Sequence, residues 1–264
     1  MRPEQRLPYS AIVDRKPLKL PRGVRLVVWP IVNVEVWDIG RPMPRQALPP
    51  PTGVTRLPDV PHWAWHEYGN RVGFWRLKAA LDRLKITPSL SVNARVCEDY
   101  PRIAKAALDA GWEFMGHSYD QRPIHLEPNQ RATIRKAVRV IKQFTGKQPV
   151  GWLGPGFTQT LDTPEYLAEA GIQYICDWPI DDEPVEIRTK KGPLLALPYS
   201  IELNDISMMI VLVALYTFGN LNVYAPPSTT TAKNVPSTTN LRRRITRQYD
   251  RRSICCSACR TTIA

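Results

Sequence analysis

No run of apolar residues in this chain of 264 is long enough to span a bilayer, and the opening Met-Arg-Pro-Glu-Gln-Arg leads into no signal-peptide core. The expectation is a cytoplasmic protein with no membrane partner. Cysteine is scarce as well. Of five cysteines, Cys97 and Cys176 stand alone in the body of the chain, which excludes a disulfide framework there and suits reduced, buried thiols. Beyond about Tyr216 the chain lacks any sustained helical or strand period, so no regular structure is expected of it.

What is present is charge of one sign, proline and a sizeable apolar fraction. The net charge is +12, but residues 211–264 alone hold Lys233 and seven arginines against Asp250, so most of the excess belongs to the tail. That tail mixes Thr229-Thr-Thr, Ser237-Thr-Thr, Arg242-Arg-Arg and Cys255-Cys-Ser-Ala-Cys259. Three readings compete for it. It is a basic arm for nucleic acid, or a partial metal knuckle lacking its second ligand pair, or out-of-frame translation, which produces such a patternless mixture and is the favoured reading. Nucleic acid is therefore not the expected partner. With 43% hydrophobic residues the remainder can bury a core, and many of the 26 prolines fall in Pro42–Pro61. The expected division is a folded domain over residues 1–210 and an irregular tail over residues 211–264.

Along the body, strand and helix patterns alternate. Val24–Val36 is rich in β-branched residues and reads as a buried strand broken at Pro30. Pro42–Trp65 has no period and reads as a long loop bearing His62 and His66, of the kind that covers a site. Helical spacing follows over Gly73–Leu84, with Phe74, Leu77, Leu81 and Leu84 in phase, then a strand over Thr87–Val92 and a helix over Asp99–Ala110. Trp112–Met115 reads as a strand, Glu127–Phe144 as an amphipathic helix closed by Gly146, and Val150–Leu153 as a short strand ending in the sharp turn Gly154-Pro-Gly156. Thr163–Ala170 is a helix with Thr163 as its cap and Pro164 at its first position. Ile172–Cys176 and Leu194–Leu197 complete the set of strands. Repeated strand-then-helix units imply a parallel sheet, and a closed one carries its site at the carboxyl ends of the strands.

Polar clusters sit at those ends. Glu35 and Asp38 follow the first strand, Gly154–Gly156 and Asp177-Trp178 follow later ones. The densest cluster is in the middle, where Gly116 lets the backbone come close to a neighbour beside His117, and Tyr119, Asp120, Arg122 and His125 follow within nine residues. An ordinary loop with a satisfied histidine would explain that cluster by itself; four strand ends bearing such residues are harder to explain that way. Glu35 is the least easily explained structurally, because a glutamate directly after a β-branched strand needs a partner or a purpose.

The order Val32-Asn-Val-Glu35, Gly116-His-Ser118, Gly151-Trp-Leu-Gly-Pro-Gly156 and Gly171-Ile-Gln-Tyr-Ile-Cys-Asp-Trp178 with Asp181-Asp-Glu-Pro184 resembles the polysaccharide deacetylase superfamily over roughly residues 10–210. It is most similar to the branch of metal-independent allantoinases. The resemblance implies an α/β fold, a distorted (β/α) barrel with fewer than eight strands, and hydrolysis of carbon–nitrogen bonds other than peptide bonds. The family's later strands and a histidine motif near its C-terminal end have no counterpart after about Met209, so the barrel is expected to be incomplete. Metal-dependent members use a Thr-Phe-Asp-Asp motif, whose second acid binds metal, and a His-Ser-x-x-His motif with two ligands. Here Glu35 falls at the base position, Val36 at the ligand position, and Gln121 at the second histidine. Neither a metal nor another cofactor is therefore expected, although His125 or Asp120 lies close enough in sequence to restore a site.

By that resemblance Glu35 removes a proton from water with its pKa raised by the apolar Val34, Val36 and Trp37, and His117 protonates the leaving nitrogen or polarises the carbonyl. The backbone N–H groups around Gly154 and Gly156 cradle the oxyanion. Trp152, Trp178 and Tyr119 wall the pocket, Asp120 orients His117 or binds a substrate N–H, and His125 contacts substrate; tryptophans in such positions are more often core than cleft. The substrate is a small amide, a ureide or an acetylated sugar, and a homo-oligomer is compatible with the branch. A truncated, non-catalytic relative and a nucleic-acid-binding protein working through the tail are the alternatives.

Overall fold

A computed structural model describes residues 1–207 apart from 17, 19, 21–23, 25 and 44–56. The expected tail over residues 211–264 and most of the Pro42–Trp65 segment lie outside the described residues. The chain begins with a single helical turn, α1 (Pro3–Arg6), and the first strand is β1 (Ile31–Val34). Helix α2 (Val60–Tyr68) runs through a π-helical turn, Gly69–Gly73, directly into α3 (Phe74–Arg83). Strand β2 (Ser89–Val92), helices α4 (Val96–Asp99) and α5 (Pro101–Asp109), strand β3 (Glu113–Gly116) and the long helix α6 (Gln130–Thr145) follow. Then come β4 (Gly151–Trp152), α7 (Thr163–Glu169), β5 (Tyr174–Ile175), β6 (Val185–Ile187) and β7 (Leu194–Ala196).

The seven strands form one sheet in the order β1-β2-β3-β4-β5-β7-β6, parallel throughout except for the antiparallel pair β6–β7. It is the mixed α/β, mostly parallel arrangement that repeated strand–helix units require. Among the described residues the sheet does not close: β1 and β6 are its two edges.

Several elements differ from the expectation. The Val24–Val36 segment pairs only over Ile31–Val34, because Pro30 has no N–H to offer a neighbouring strand. The loop expected up to Trp65 instead turns helical at Val60, where the buried Asp59 side chain accepts the His62 N–H and Pro61 occupies the first turn. At α7 the cap position belongs to Asp162, and the Thr163 hydroxyl accepts the Thr160 N–H from inside the first turn. Strand β6, Val-Glu-Ile, is too short to stand out in the sequence; the backbone of β7 recruits it.

Packing separates the two faces of the sheet. Val32, Val34, Leu90, Val92 and Phe114 point toward the helices, where they meet Ile134, Ala137, Val138 and Ile141 of α6 in the main core. That spacing on α6 is the helical face predicted by its sequence; Asn129 caps its start and Gly146, at φ +72°, ends it in the left-handed conformation glycine tolerates. Met115, Leu153, Tyr174, Cys176 and Leu197 cover the opposite, inner face. Beneath them, at the amino ends of the strands, Trp29 donates to Ser89 (2.8 Å), Ser89 donates to Glu113 (2.8 Å), and Tyr174 donates to the same carboxylate (2.7 Å). This chain of bonds satisfies a carboxylate that a purely apolar interior would penalise.

Gly116 has the packing reason anticipated for it. A Cβ there would lie 2.6 Å from the indole of Trp152, so only glycine lets the end of β3 approach β4.

Candidate active site

Register places the ends of β1, β2 and β3 side by side, with Val34 opposite Val92 and Val92 opposite Gly116. The next inward-facing residues are therefore Glu35, Asn93 and His117, in one row. Glu35 Oε1 lies 3.3 Å from His117 Nε2, and Glu35 Oε2 accepts the indole N–H of Trp37 at 3.0 Å. The other ring nitrogen of His117, Nδ1, meets the carbonyl of Leu153. A carbonyl only accepts, so Nδ1 carries a hydrogen, and Nε2 is the nitrogen turned to the Glu35 carboxylate.

This corrects the expectation that apolar neighbours raise the Glu35 pKa. Burial does push it up, but the hydrogen bond and charge of His117, the charge of His66 and the Trp37 N–H outweigh burial and hold the carboxyl below its ordinary value. Val34 and Val36 both belong to the main core, and of the two only Val34 also borders the cavity beside Glu35.

Asn93, fully buried, escaped the sequence reading. Its Oδ1 accepts the Val36 N–H at 2.8 Å, and its Nδ2 donates to the His117 carbonyl and to Gln121 Oε1 at 3.1 Å. One amide therefore ties the end of β1 to the end of β3, fixing the backbone of both members of the Glu35–His117 pair. A polar residue immediately after the buried Ser89–Val92 strand was the available signal. Just past His117, Ser118 adopts φ +61°, a strained conformation for a residue other than glycine that accompanies the sharp exit from the strand.

The remaining candidates spread widely. Trp152 is wholly buried in the main core and walls no cleft; a two-ring side chain on a central strand is held there by packing. The Gly154 N–H is donated to Asp177 Oδ1, which removes it from any role as a free oxyanion donor. Gly156 sits in the following 3-10 turn at φ +61°. Asp177 Oδ2 accepts from Gln159 at 2.6 Å, and Gln159 in turn accepts the Trp178 indole N–H at 2.7 Å. Burial is the main reason that the Asp177 carboxyl is pushed up to about 6, against the lowering effect of Gly154, Gln159 and His117. Tyr119 donates to Glu98 at 2.7 Å and packs against the helical side, with Lys136 over its ring. Burial raises the Asp120 pKa, with Arg41 the strongest opposing influence. His125 is exposed on a 3-10 turn.

A cavity of about 340 Å³ opens beside Glu35. Its lining includes Asn33, Glu35, Trp37, Trp65, His66 and Asn70, drawn from β1 and α2 with the π turn after it. His66 and Asn70 are one helical step of four residues apart, which points both at β1, and Asn70 Nδ2 donates to the Glu35 carbonyl at 3.2 Å. His66 stacks on Trp37 with ring centroids 4.4 Å apart and planes 18° from parallel. Of the residues expected to bind substrate, none lines this cavity; Glu35 alone of the expected site does. The segment expected to cover the site supplies His66 and Trp65, but as a helix.

The donor set does not fit a metal of the superfamily's type. Val36 is buried in the core, Gln121 is engaged by Asn93, and His117 has its two nitrogens turned to Leu153 and Glu35. Among the described residues no group of three or more His, Cys, Asp or Glu side chains converges as metal ligands. Nor does any helix among them have the length and apolarity to cross a membrane.

Residues 67–175 match the polysaccharide deacetylase family. Over 111 residues the chain is 32% identical to the peptidoglycan deacetylase-like protein FGM2 of Gibberella zeae, an overlap of 40% of this chain and 33% of that protein. Over 109 residues it is 28% identical to a peptidoglycan deacetylase of Helicobacter pylori, covering 40% of this chain and 37% of that one. The matched segments thus span about a third of either relative's length. In fold the chain resembles Puue allantoinase, with a TM-score of 0.61 and 21% identity over 78% of this chain and 76% of that structure. It likewise resembles a Mycobacterium smegmatis protein assigned to the polysaccharide deacetylases, with a TM-score of 0.63 and 20% identity over 91% and 78% of the two chains. His117 and Asn93 fall inside the matched segment, whereas Glu35 and β1 precede it. The strand order and these matches agree in a fold of the polysaccharide deacetylase type, with the match to that family confined to residues 67–175.

Proposed function

We propose that the protein is a hydrolase of carbon–nitrogen bonds other than peptide bonds, acting on acetylated amino sugars or on small amides and ureides, with Glu35 as the base. The observation that carries this reading is the contact between Glu35 and His117 at the ends of β1 and β3, with Glu35 also opening on a cavity. A carboxylate held ionised by an adjacent imidazole stands ready to accept a proton from water, and the surrounding aromatic side chains limit competing solvent. Its lowered pKa makes it a weaker base but keeps it charged across a wide pH range. His117, enclosed behind the carboxylate, orients Glu35 and balances its charge, while Asn93 holds the two strand ends in register. Because the residues do not suit a metal, water activation is assigned to Glu35 itself. The sheet that stays open among the described residues, and Val36 and Gln121 standing where metal-dependent relatives have ligands, favour one second reading, a relative that has lost catalysis.

The test is hydrolysis of N-acetylglucosamine oligomers, allantoin and cyclic imides by the full chain after exhaustive chelation, alongside Glu35→Gln. The expected result is turnover that survives chelation and falls by about 10²-fold or more in the variant while its melting temperature stays near that of the parent. A cooperatively folded protein inert toward every member of the panel would favour the non-catalytic relative.

A further inference from the structure

The chain has four histidines, and the fold gives each a different setting. His62 is buried with Nδ1 at 2.8 Å from Asp59. His125 is exposed on a turn. His117 has one ring nitrogen at the Leu153 carbonyl and the other at Glu35, and it is only 3% exposed, so it reaches the cavity only through Glu35. His66 lines the same cavity as Glu35.

From this placement we infer that His66 is the second catalytic residue of the site, donating the proton that releases the leaving nitrogen, in the role that the sequence assigned to His117. The inference rests on the hydrolytic reading above. Three features of the structure suit His66 to that task. Its ring is stacked on Trp37, and Trp37 also donates to Glu35, so one indole fixes both groups relative to each other. Trp65 also packs against the imidazole, tilted by 52° at 5.4 Å between centroids, and adds to the contacts that hold the ring. Its charge is already felt by Glu35, as the lowering of the Glu35 pKa records.

Water oxygen bonds to the substrate carbonyl carbon while Glu35 takes one water proton. The carbon–nitrogen bond then breaks, its electron pair stays on nitrogen, and the proton on His66 passes to that nitrogen. The proton held by Glu35 returns to His66 through solvent. Amide and water have become carboxylic acid and amine, with both side chains restored.

A general acid matters most when the leaving nitrogen is strongly basic and least when it departs easily. The experiment therefore compares the full chain with His66→Gln and His66→Phe on the panel substrate the parent hydrolyses. It is repeated on N-aryl amides of the same acyl group, one bearing a 4-nitro and one a 4-methoxy substituent. The phenylalanine variant retains a ring against Trp37, and the glutamine variant retains a polar group, so misfolding of one leaves the other informative. The expected result is a kcat loss of about 10²-fold on the panel substrate and the methoxy anilide, shrinking to a few-fold on the nitro anilide, with KM little changed. An equal loss for both anilides, or undiminished turnover of the panel substrate in either variant, overturns the role of His66 and leaves Glu35 as base untouched. A parent chain inactive on every substrate overturns the hydrolytic reading and this inference together.

Discussion

Two buried acid–base pairs in this protein have the same chemistry and different consequences. Arg6, wholly inaccessible, meets Glu165 at 2.9 Å and also donates to the carbonyls of Arg188 and Leu161, while the Lys190 N–H is donated to the same glutamate. Every partner is protein and every element involved is packed: the pair clasps the first helical turn to α7 and to the region of β6. Glu35 and His117 are less completely enclosed, and one carboxylate face looks into a cavity. A charge pair closed on all sides serves the fold, whereas one left open on one side has a face to offer a reactant. The difference follows from position, since Glu35 ends an edge strand and Glu165 lies on the buried face of a helix.

The comparison predicts the largest stability effect at the closed pair. Arg6→Ala strands Glu165 without its counter-charge and is expected to cost about 3–5 kcal/mol, read as a lower urea midpoint at constant m-value. A loss below about 1 kcal/mol would mean that Glu165 finds water, and the distinction between the pairs would weaken.

A further buried carboxylate sharpens the contrast because, among the described residues, it has no cationic partner at bonding distance. Asp177, pushed up to about 6 by burial, binds its proton more tightly when folded than when unfolded. Its contribution to stability therefore declines as pH rises from about 4 to about 6, since the folded state must surrender a proton it prefers to keep. Asp177→Asn removes this slope. The variant's stability relative to the parent should rise across that window by up to about 3 kcal/mol, measured by denaturant unfolding at several pH values. Parallel pH profiles would show that Gly154 and Gln159 compensate burial fully.

The smallest effect is expected at the amide that aligns the open pair. Asn93→Ala leaves the Val36 N–H and the His117 carbonyl without their buried partner, for about 1–3 kcal/mol. Turnover should fall by more than this stability loss explains, with kcat affected and KM nearly constant, because Glu35 and His117 lose their common anchor. Unchanged kcat in a folded variant would limit Asn93 to a structural role.

Much of the fold was legible in residue patterns. The apolar period of α6, the β-branched cores of β1 and β2 and the Gly146 stop are local signals, and each element formed close to where they predict it. The partners of the strand-end residues were not legible. Trp152 and Glu35 both follow or occupy apolar strands, yet one is sealed in the core and the other faces a cavity, a difference set by which face of the sheet each residue meets. His66 was hidden because α2 depends on a cap at Asp59 and on packing against β1 more than on an apolar period. Asn93 was hidden because an asparagine after a strand is common in turns, and only the register of three strands gives it three partners.

By itself, then, the sequence determined an alternation of strands and helices, a parallel sheet with polar residues at its carboxyl ends, a resemblance to the polysaccharide deacetylases and Glu35 as the residue most in need of a purpose. These are properties of local pattern and of motif order. The tertiary structure alone decided that His117 stands behind Glu35, that His66 borders the same cavity, that Gly154 is spent on Asp177, and that the Glu35 carboxyl is held below its ordinary pKa. Those outcomes depend on distances between strand ends and helix faces far apart in the chain, and hydrogen bonding and desolvation act through such distances rather than through sequence spacing.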